Sequence, residues 1–258
     1  VREHAAETAR IGCVPYLNAR PLLEGIPYAV RELVPARLHD VFQAGELDAA
    51  LLSSVDVISM PRSEVVDGAA IGSRGDVHSV ILAYTGELKA IRRVRLDPSS
   101  HTSNALLRIV LEEFHGIGAE YVSDAGGEDI ALPSLLIGDP AISFRKSREA
   151  AGVQLLDLGG EWFRSTGLPF VFALWALNPD YSARERVAGI LRMAKRRGVA
   201  ALGEIALRTE DPEFAKRYLG GWIRYELGEE EKRGIRLFGE LLTRHRLVPS
   251  IGDEPRYW

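Results

Sequence analysis

A single cysteine stands in the whole chain, Cys13, and one cysteine excludes an intrachain disulfide. It lies in the apolar run Ile11-Gly-Cys-Val14, which reads as a strand, with no base beside it in sequence. That context favours a buried small hydrophobe over a nucleophile. No stretch reaches the ~18 uninterrupted apolar residues of a membrane span, so a membrane-embedded class is set aside. The first ten residues are polar, carry Glu3 and Glu7, and lack the apolar core of a secretory signal. Together with the lone thiol, this points to a cytoplasmic setting. Basic residues are not in excess, since 32 Lys and Arg against 36 Asp and Glu give a net charge of −4. A nucleic-acid partner is therefore not expected, and the basic cluster Lys195-Arg196-Arg197 reads as a solvated helix face.

Recognised cofactor motifs are also missing. There is no His-Glu-x-x-His, no Cys-x-x-Cys, and no Gly-x-Gly-x-x-Gly after a strand. Gly72-Ser-Arg-Gly75 lacks the lysine-serine ending of a phosphate loop, and the six histidines are dispersed. Neither a metal nor a cofactor is expected from these spacings.

What is present is alternation. Strand-like runs at 10–15, 47–52, 69–73, 79–84, 93–96, 120–122, 135–137 and 170–176 are separated by helical patterns at 18–23, 38–44, 55–60 and 104–114. From residue 183 onward the pattern is helical, at 184–195, 199–207, 212–222 and 229–245. Such alternation favours α/β layers. Two halves repeat a theme of apolar strands ending in small polar residues, which predicts two lobes. The expected division is residues 1–88 and 178–258 for lobe one and 89–177 for lobe two. The chain would cross near 84–92 and return near 176–182.

In open α/β sheets ligands sit beyond the carboxyl ends of the strands. Those ends are followed by Tyr16-Leu-Asn18, by Ser53 and Ser54, by Pro98-Ser-Ser-His-Thr-Ser103 and by Gly138-Asp139. Several open into helices, whose first-turn N–H groups lack internal partners and carry partial positive charge. Asn18 and the hydroxyls at 99–103 suit either a carboxylate ligand or an ordinary N-cap. His78 and His101 read either as an acid or base or as exposed side chains. Trp162 and Trp175 read as packing residues.

Certain stretches say more than periodicity does. They are Val14-Pro-Tyr-Leu-Asn-Ala-Arg-Pro-Leu22, Gly45-Glu-Leu-Asp-Ala-Ala-Leu-Leu-Ser53, Val77-His-Ser-Val-Ile81, Ser99-Ser-His-Thr-Ser-Asn-Ala-Leu-Leu107, Leu136-Ile-Gly-Asp139 and Trp162-Phe-Arg-Ser-Thr-Gly-Leu-Pro-Phe-Val-Phe172. In this order the chain resembles the chorismate dehydratase family of the futalosine route to menaquinone. One departure is His101, where an arginine is expected.

The resemblance implies a two-lobed, type II periplasmic-binding-protein-like α/β fold with a ligand crevice between lobes. It also implies a lyase that converts chorismate to 3-[(1-carboxyvinyl)oxy]benzoate without a cofactor. Asn18 and Ser79 are then the expected catalytic residues. Ser53, Ser54, Ser100, Thr102, Ser103, Asp139, Thr166 and Gly167 are the expected substrate contacts. None of Asn18, Ser79, Thr102 and Ser103 is a strong base, so the enolpyruvyl carboxylate of the substrate is the favoured proton acceptor, ahead of His78 or Asp139. A non-catalytic binding protein for a small carboxylate and the sister 1,4-dihydroxy-6-naphthoate synthase share the architecture and stay open as alternatives.

Overall fold

The computed structural model describes residues 8–123, 132–148 and 152–258. The first strand, β1 (Ile11–Cys13), leads into a 3-10 segment, Leu17–Leu23, followed by β2 (Val30–Glu32) and helix α1 (Pro35–Gln43). Then come β3 (Ala49–Ser53), α2 (Ser54–Ser59), β4 (Glu64–Ser73), β5 (Val80–Tyr84), β6 (Arg93–Arg95) and α3 (His101–Ile109), which runs on as a π-helical turn over Val110–Phe114. Next are β7 (Glu120–Val122), β8 (Ser134–Ile137), α4 (Gly138–Arg148), β9 (Gln154–Asp157), α5 (Leu158–Thr166) and β10 (Phe170–Leu177). The chain finishes with α6 (Arg184–Ala200), α7 (Leu202–Leu207), α8 (Pro212–Arg217), a π-helical turn at Tyr218–Trp222, α9 (Glu229–Arg244) and β11 (Arg256–Tyr257).

Two sheets form. The larger has six strands in the order β11-β4-β10-β3-β1-β2, the smaller five in the order β7-β6-β8-β5-β9. In the larger sheet β1 pairs in parallel with β2 and β3, while β10 runs antiparallel between β3 and β4. In the smaller sheet β5 is antiparallel to both β8 and β9. The central strand β3 is buried at every position, as its unbroken Ala-Ala-Leu-Leu run requires of a strand covered on both faces.

Sheet membership redraws the expected lobe boundaries. The chain leaves the first sheet after Ser73, not near 84–92, and returns at Phe170, not near 176–182. Strand β5 therefore belongs to lobe two and β10 to lobe one. Both strands are apolar and buried, so nothing in their composition says which sheet they join. The outward crossing is short, with Gly75 at φ 109° and His78 at φ 64° supplying the turn.

The helices that complete lobe one reach the site through close backbone approaches. A Cβ on Gly198 in α6 would lie 1.8 Å from the Pro21 carbonyl oxygen. Only glycine lets α6 seat against the 3-10 segment that carries Asn18. Where the chain returns to the first sheet, Trp162 and Phe170 meet edge to face at 5.1 Å and Phe170 and Phe238 at 5.0 Å. Such pairs contribute about 0.5–1.5 kcal/mol beyond their buried area. Trp162 and Trp175 are both fully buried packing residues. Cys13 is also fully buried, and desolvation pushes its thiol up to about 12, which removes it as a nucleophile near neutral pH.

Candidate active site

Between the sheets lies a crevice with a cavity volume of about 70 Å³. Lobe one lines it with Tyr16 and Asn18 after β1, Ser53 at the end of β3, and Phe172 on β10. Lobe two adds Ser79 ahead of β5, Ser100 and Ser103 at the start of α3, and Gly138 after β8. The structure thus brings Asn18, Ser53, Ser79, Ser100 and Ser103 together from both lobes.

Each of these side chains is held by local structure. Ser100 caps α3: its Oγ accepts the Ser103 N–H at 3.2 Å and donates to the Ser103 Oγ at 2.9 Å. The two hydroxyls that cap the helix also line the crevice, so the cap and binding readings coincide in place. The start of α3, the positive end of the helix, borders the same space through Ser100 and Ser103. Asn18 has its Oδ1 buried without a hydrogen-bond partner. A buried acceptor left open in this way costs free energy unless something donates to it.

Ser79 is 1% exposed and its main-chain oxygen accepts the Gly138 N–H at 2.8 Å. The turn before it is fixed by Asp157, which caps α5. That carboxylate accepts the N–H groups of Val77 at 2.9 Å, His78 at 2.7 Å and Gly160 at 3.0 Å. Burial raises the Asp157 carboxyl above its usual range, and these three N–H bonds pull it back. The Ser79 Oγ accepts the phenol proton of Tyr218 at 2.8 Å. Burial holds that phenol neutral, well above its ordinary value. Tyr218 and Asp157 were not legible as site residues, since neither sits in a polar strand-end motif.

Five expected contacts fall elsewhere. The Ser54 Oγ donates to the Val171 carbonyl at 2.7 Å and lies 3.3 Å from the Thr102 Oγ1, which accepts the Val55 N–H at 3.0 Å. Ser54 and Thr102 therefore fasten α2 to α3, lobe to lobe, and do not line the crevice. The Asp139 Oδ1 accepts the Leu17 N–H at 3.3 Å and ties α4 to the 3-10 segment outside the lining. Partial burial raises its carboxyl, opposed by the Leu17 N–H and Arg20. Thr166 donates to the Trp162 carbonyl at 2.8 Å and accepts the Leu168 N–H at 3.1 Å, while Gly167 ends α5 at φ 70°. Both are helix-terminating residues.

Neither histidine enters the crevice lining. The His78 ring stacks on Trp222 at 3.5 Å. His101 bonds through Nδ1 to Asp56 at 2.7 Å and faces a separate cleft beside His39. That hydrogen bond, opposed by desolvation, raises the His101 pKa. Among the described residues, no group of three or more His, Cys, Asp or Glu is arranged to hold a metal ion. No helix among them is long and apolar enough to cross a membrane.

Two α/β lobes joined by paired crossings, with a crevice between them, define a periplasmic-binding-protein-like fold. Solved structures agree on the fold. A protein of Archaeoglobus fulgidus superposes with a TM-score of 0.72 at 18% identity, covering 95% of this chain and 100% of its own. The periplasmic aliphatic sulphonate binding protein of Escherichia coli gives 0.63 at 14%, covering 96% of each. The profile of the menaquinone biosynthesis family matches residues 9–244, and the chain belongs to that family. A chorismate dehydratase of Thermus thermophilus is 32% identical over an alignment 259 positions long that covers 90% of this chain and 94% of the relative. A second chorismate dehydratase, from Campylobacter jejuni, is 23% identical over 86% of this chain and 88% of its own.

Proposed function

We propose that this protein dehydrates chorismate to 3-[(1-carboxyvinyl)oxy]benzoate, the opening step of the futalosine route to menaquinone, in the cytoplasm. Family membership and the dehydratase relatives support the reaction. One observation carries the mechanism: among the described residues, the crevice lining holds hydroxyls, an amide and apolar groups, but no carboxylate, imidazole, amine or thiol. Such a lining can hold and orient a substrate but has no group suited to take a carbon-bound proton near neutral pH.

The chemistry tolerates that lack. The ring loses its hydroxyl and the hydrogen on the neighbouring carbon that bears the enolpyruvyl ether, and becomes aromatic. Aromatisation supplies the driving force, so positioning is the protein's main contribution. The start of α3, with Ser100 and Ser103, receives a carboxylate. Ser79 donates to the departing hydroxyl, and Asn18 orients the substrate from the opposite lobe. The substrate's enolpyruvyl carboxylate takes the ring proton and passes it on as water leaves.

The test is to mix purified protein with chorismate, without added metal or nucleotide, and to follow an aromatic product by absorbance and mass. Turnover that survives a chelator is the expected result. Tight binding without turnover would instead favour a non-catalytic carboxylate-binding protein.

A further inference from the structure

We infer that Tyr218 is a positioning residue for the dehydration, acting through Ser79: its phenol occupies the acceptor side of the Ser79 hydroxyl and turns the Ser79 proton toward the crevice. This rests on the reading of Ser79 as the donor to the leaving hydroxyl.

The placement of Tyr218 is built, and from far away in sequence. It lies at the start of the π-helical turn Tyr218–Trp222, 139 positions from Ser79. Single π-helical turns of this kind are frequent at functional sites. Two fastenings bring this one to the crossing segment. Arg224 forms a two-way backbone bridge with Gly72 at the end of β4, at 2.8 and 2.9 Å. Trp222 stacks on His78, the residue immediately before Ser79. The same turn thus grips the crossing through Trp222 and its next residue through Tyr218.

Proton counting gives the consequence. A tyrosine hydroxyl has one proton, and here it goes to the Ser79 Oγ. The Ser79 proton therefore cannot point back at Tyr218. Ser79 is 1% exposed and its remaining open side is the crevice it lines. A hydroxyl that already accepts a hydrogen bond is a stronger donor, because successive bonds polarise one another. Asn18 makes a polar contact with the same phenol oxygen, so Asn18, Tyr218 and Ser79 form one connected set. The plainer alternative is a core tyrosine that uses Ser79 only to satisfy its own hydroxyl. Its ring stacks on Phe214 at 5.7 Å, so a phenylalanine can keep the packing and remove only the hydroxyl.

The experiment is a double-mutant cycle on the full chain with Y218F, S79A and Y218F/S79A, reading kcat, KM for chorismate and thermal stability. Y218F is expected to lower kcat by about tenfold to a hundredfold, with KM within about twofold of the parent. The double variant is expected to match S79A alone within about twofold, because the phenol acts through that hydroxyl. Y218F with parental kcat, or with an altered KM or stability but unchanged kcat, would overturn the inference. So would a double variant whose loss is the product of the two single losses. An inactive parent protein would overturn the functional reading itself, and that result is distinguishable from an active parent with an equally active Y218F.

Discussion

The Oδ2 of Asp157 takes the main-chain N–H of His78 at 2.7 Å, and His78 sits at φ 64°, in the left-handed region that side chains other than glycine seldom adopt. Its other oxygen takes the Val77 and Gly160 N–H groups. One carboxylate at the end of lobe two thereby fixes the crossing that presents Ser79. Replacing Asp157 by Asn places an NH2 group against buried N–H donors. The expected cost is about 1–3 kcal/mol of stability, with a lower kcat/KM as Ser79 loses its position. Urea unfolding and steady-state kinetics on the variant check both. Parental values in both would show that the turn is held by other contacts.

Ser54 and Thr102 are read as a fastening between lobes, which separates their effects from those of the crevice residues. In a Thr102→Val variant the Val55 N–H loses its acceptor inside a buried contact. A loss of about 1–3 kcal/mol in unfolding free energy is expected, with KM for chorismate little changed. Ser103→Ala should do the reverse, raising KM more than it lowers stability.

The bond between His101 and Asp56 crosses from α3 to α2 and is pH-dependent. The Asp56 hydrogen bond raises the His101 pKa above its ordinary value of 6.5. The stabilisation is therefore fully present below that ordinary value and is lost as pH rises through the raised one. Asp40 favours the charged imidazole as well, and the His39 Nδ1 lies 3.8 Å from the other Asp56 oxygen. The stability gap between the parent and His101→Asn should shrink as pH rises from about 6 to about 9. An NMR titration should place the His101 midpoint above 6.5, and Asp56→Asn should bring it down. A midpoint that ignores Asp56 would contradict this.

Legibility followed physical signal strength. The buried run of β3, the strand β7 and the Ser100 cap were readable because each carries a local signature. Helix α5 was not, since its first turn contains Gly159 and Gly160, poor helix formers, the first in a tight spot: a Cβ on Gly159 would lie 2.9 Å from the Gly75 carbonyl oxygen. Strand β2 is a short edge strand, Val-Arg-Glu, with two exposed residues and no alternating pattern. Of the candidate site, the crevice residues Asn18, Ser53, Ser100 and Ser103 stood out as polar groups after strand ends, whereas Ser79, which precedes its strand, stood out only through the family resemblance. Ser54 and Thr102 carried the same signal but spend their hydroxyls on interlobe bonds. Tyr218 gave no signal at all, because a tyrosine in a helical stretch reads as core until the fold sets it against Ser79.

The central claim is that the protein orients chorismate while the substrate's own carboxylate removes the proton. Two variants bear on it first. His78→Asn, which tolerates the left-handed backbone, and Asp139→Asn should both keep kcat within about tenfold of the parent, because neither side chain lines the crevice. The most direct measurement is single-turnover kinetics on chorismate and on its enolpyruvyl-carboxylate ester with the same protein. The expected result is aromatic product from chorismate and binding without product from the ester. An ester that reacts at a rate comparable to chorismate, paired with an inactive His78 or Asp139 variant that still binds chorismate, would show that the protein supplies the base and would contradict the account.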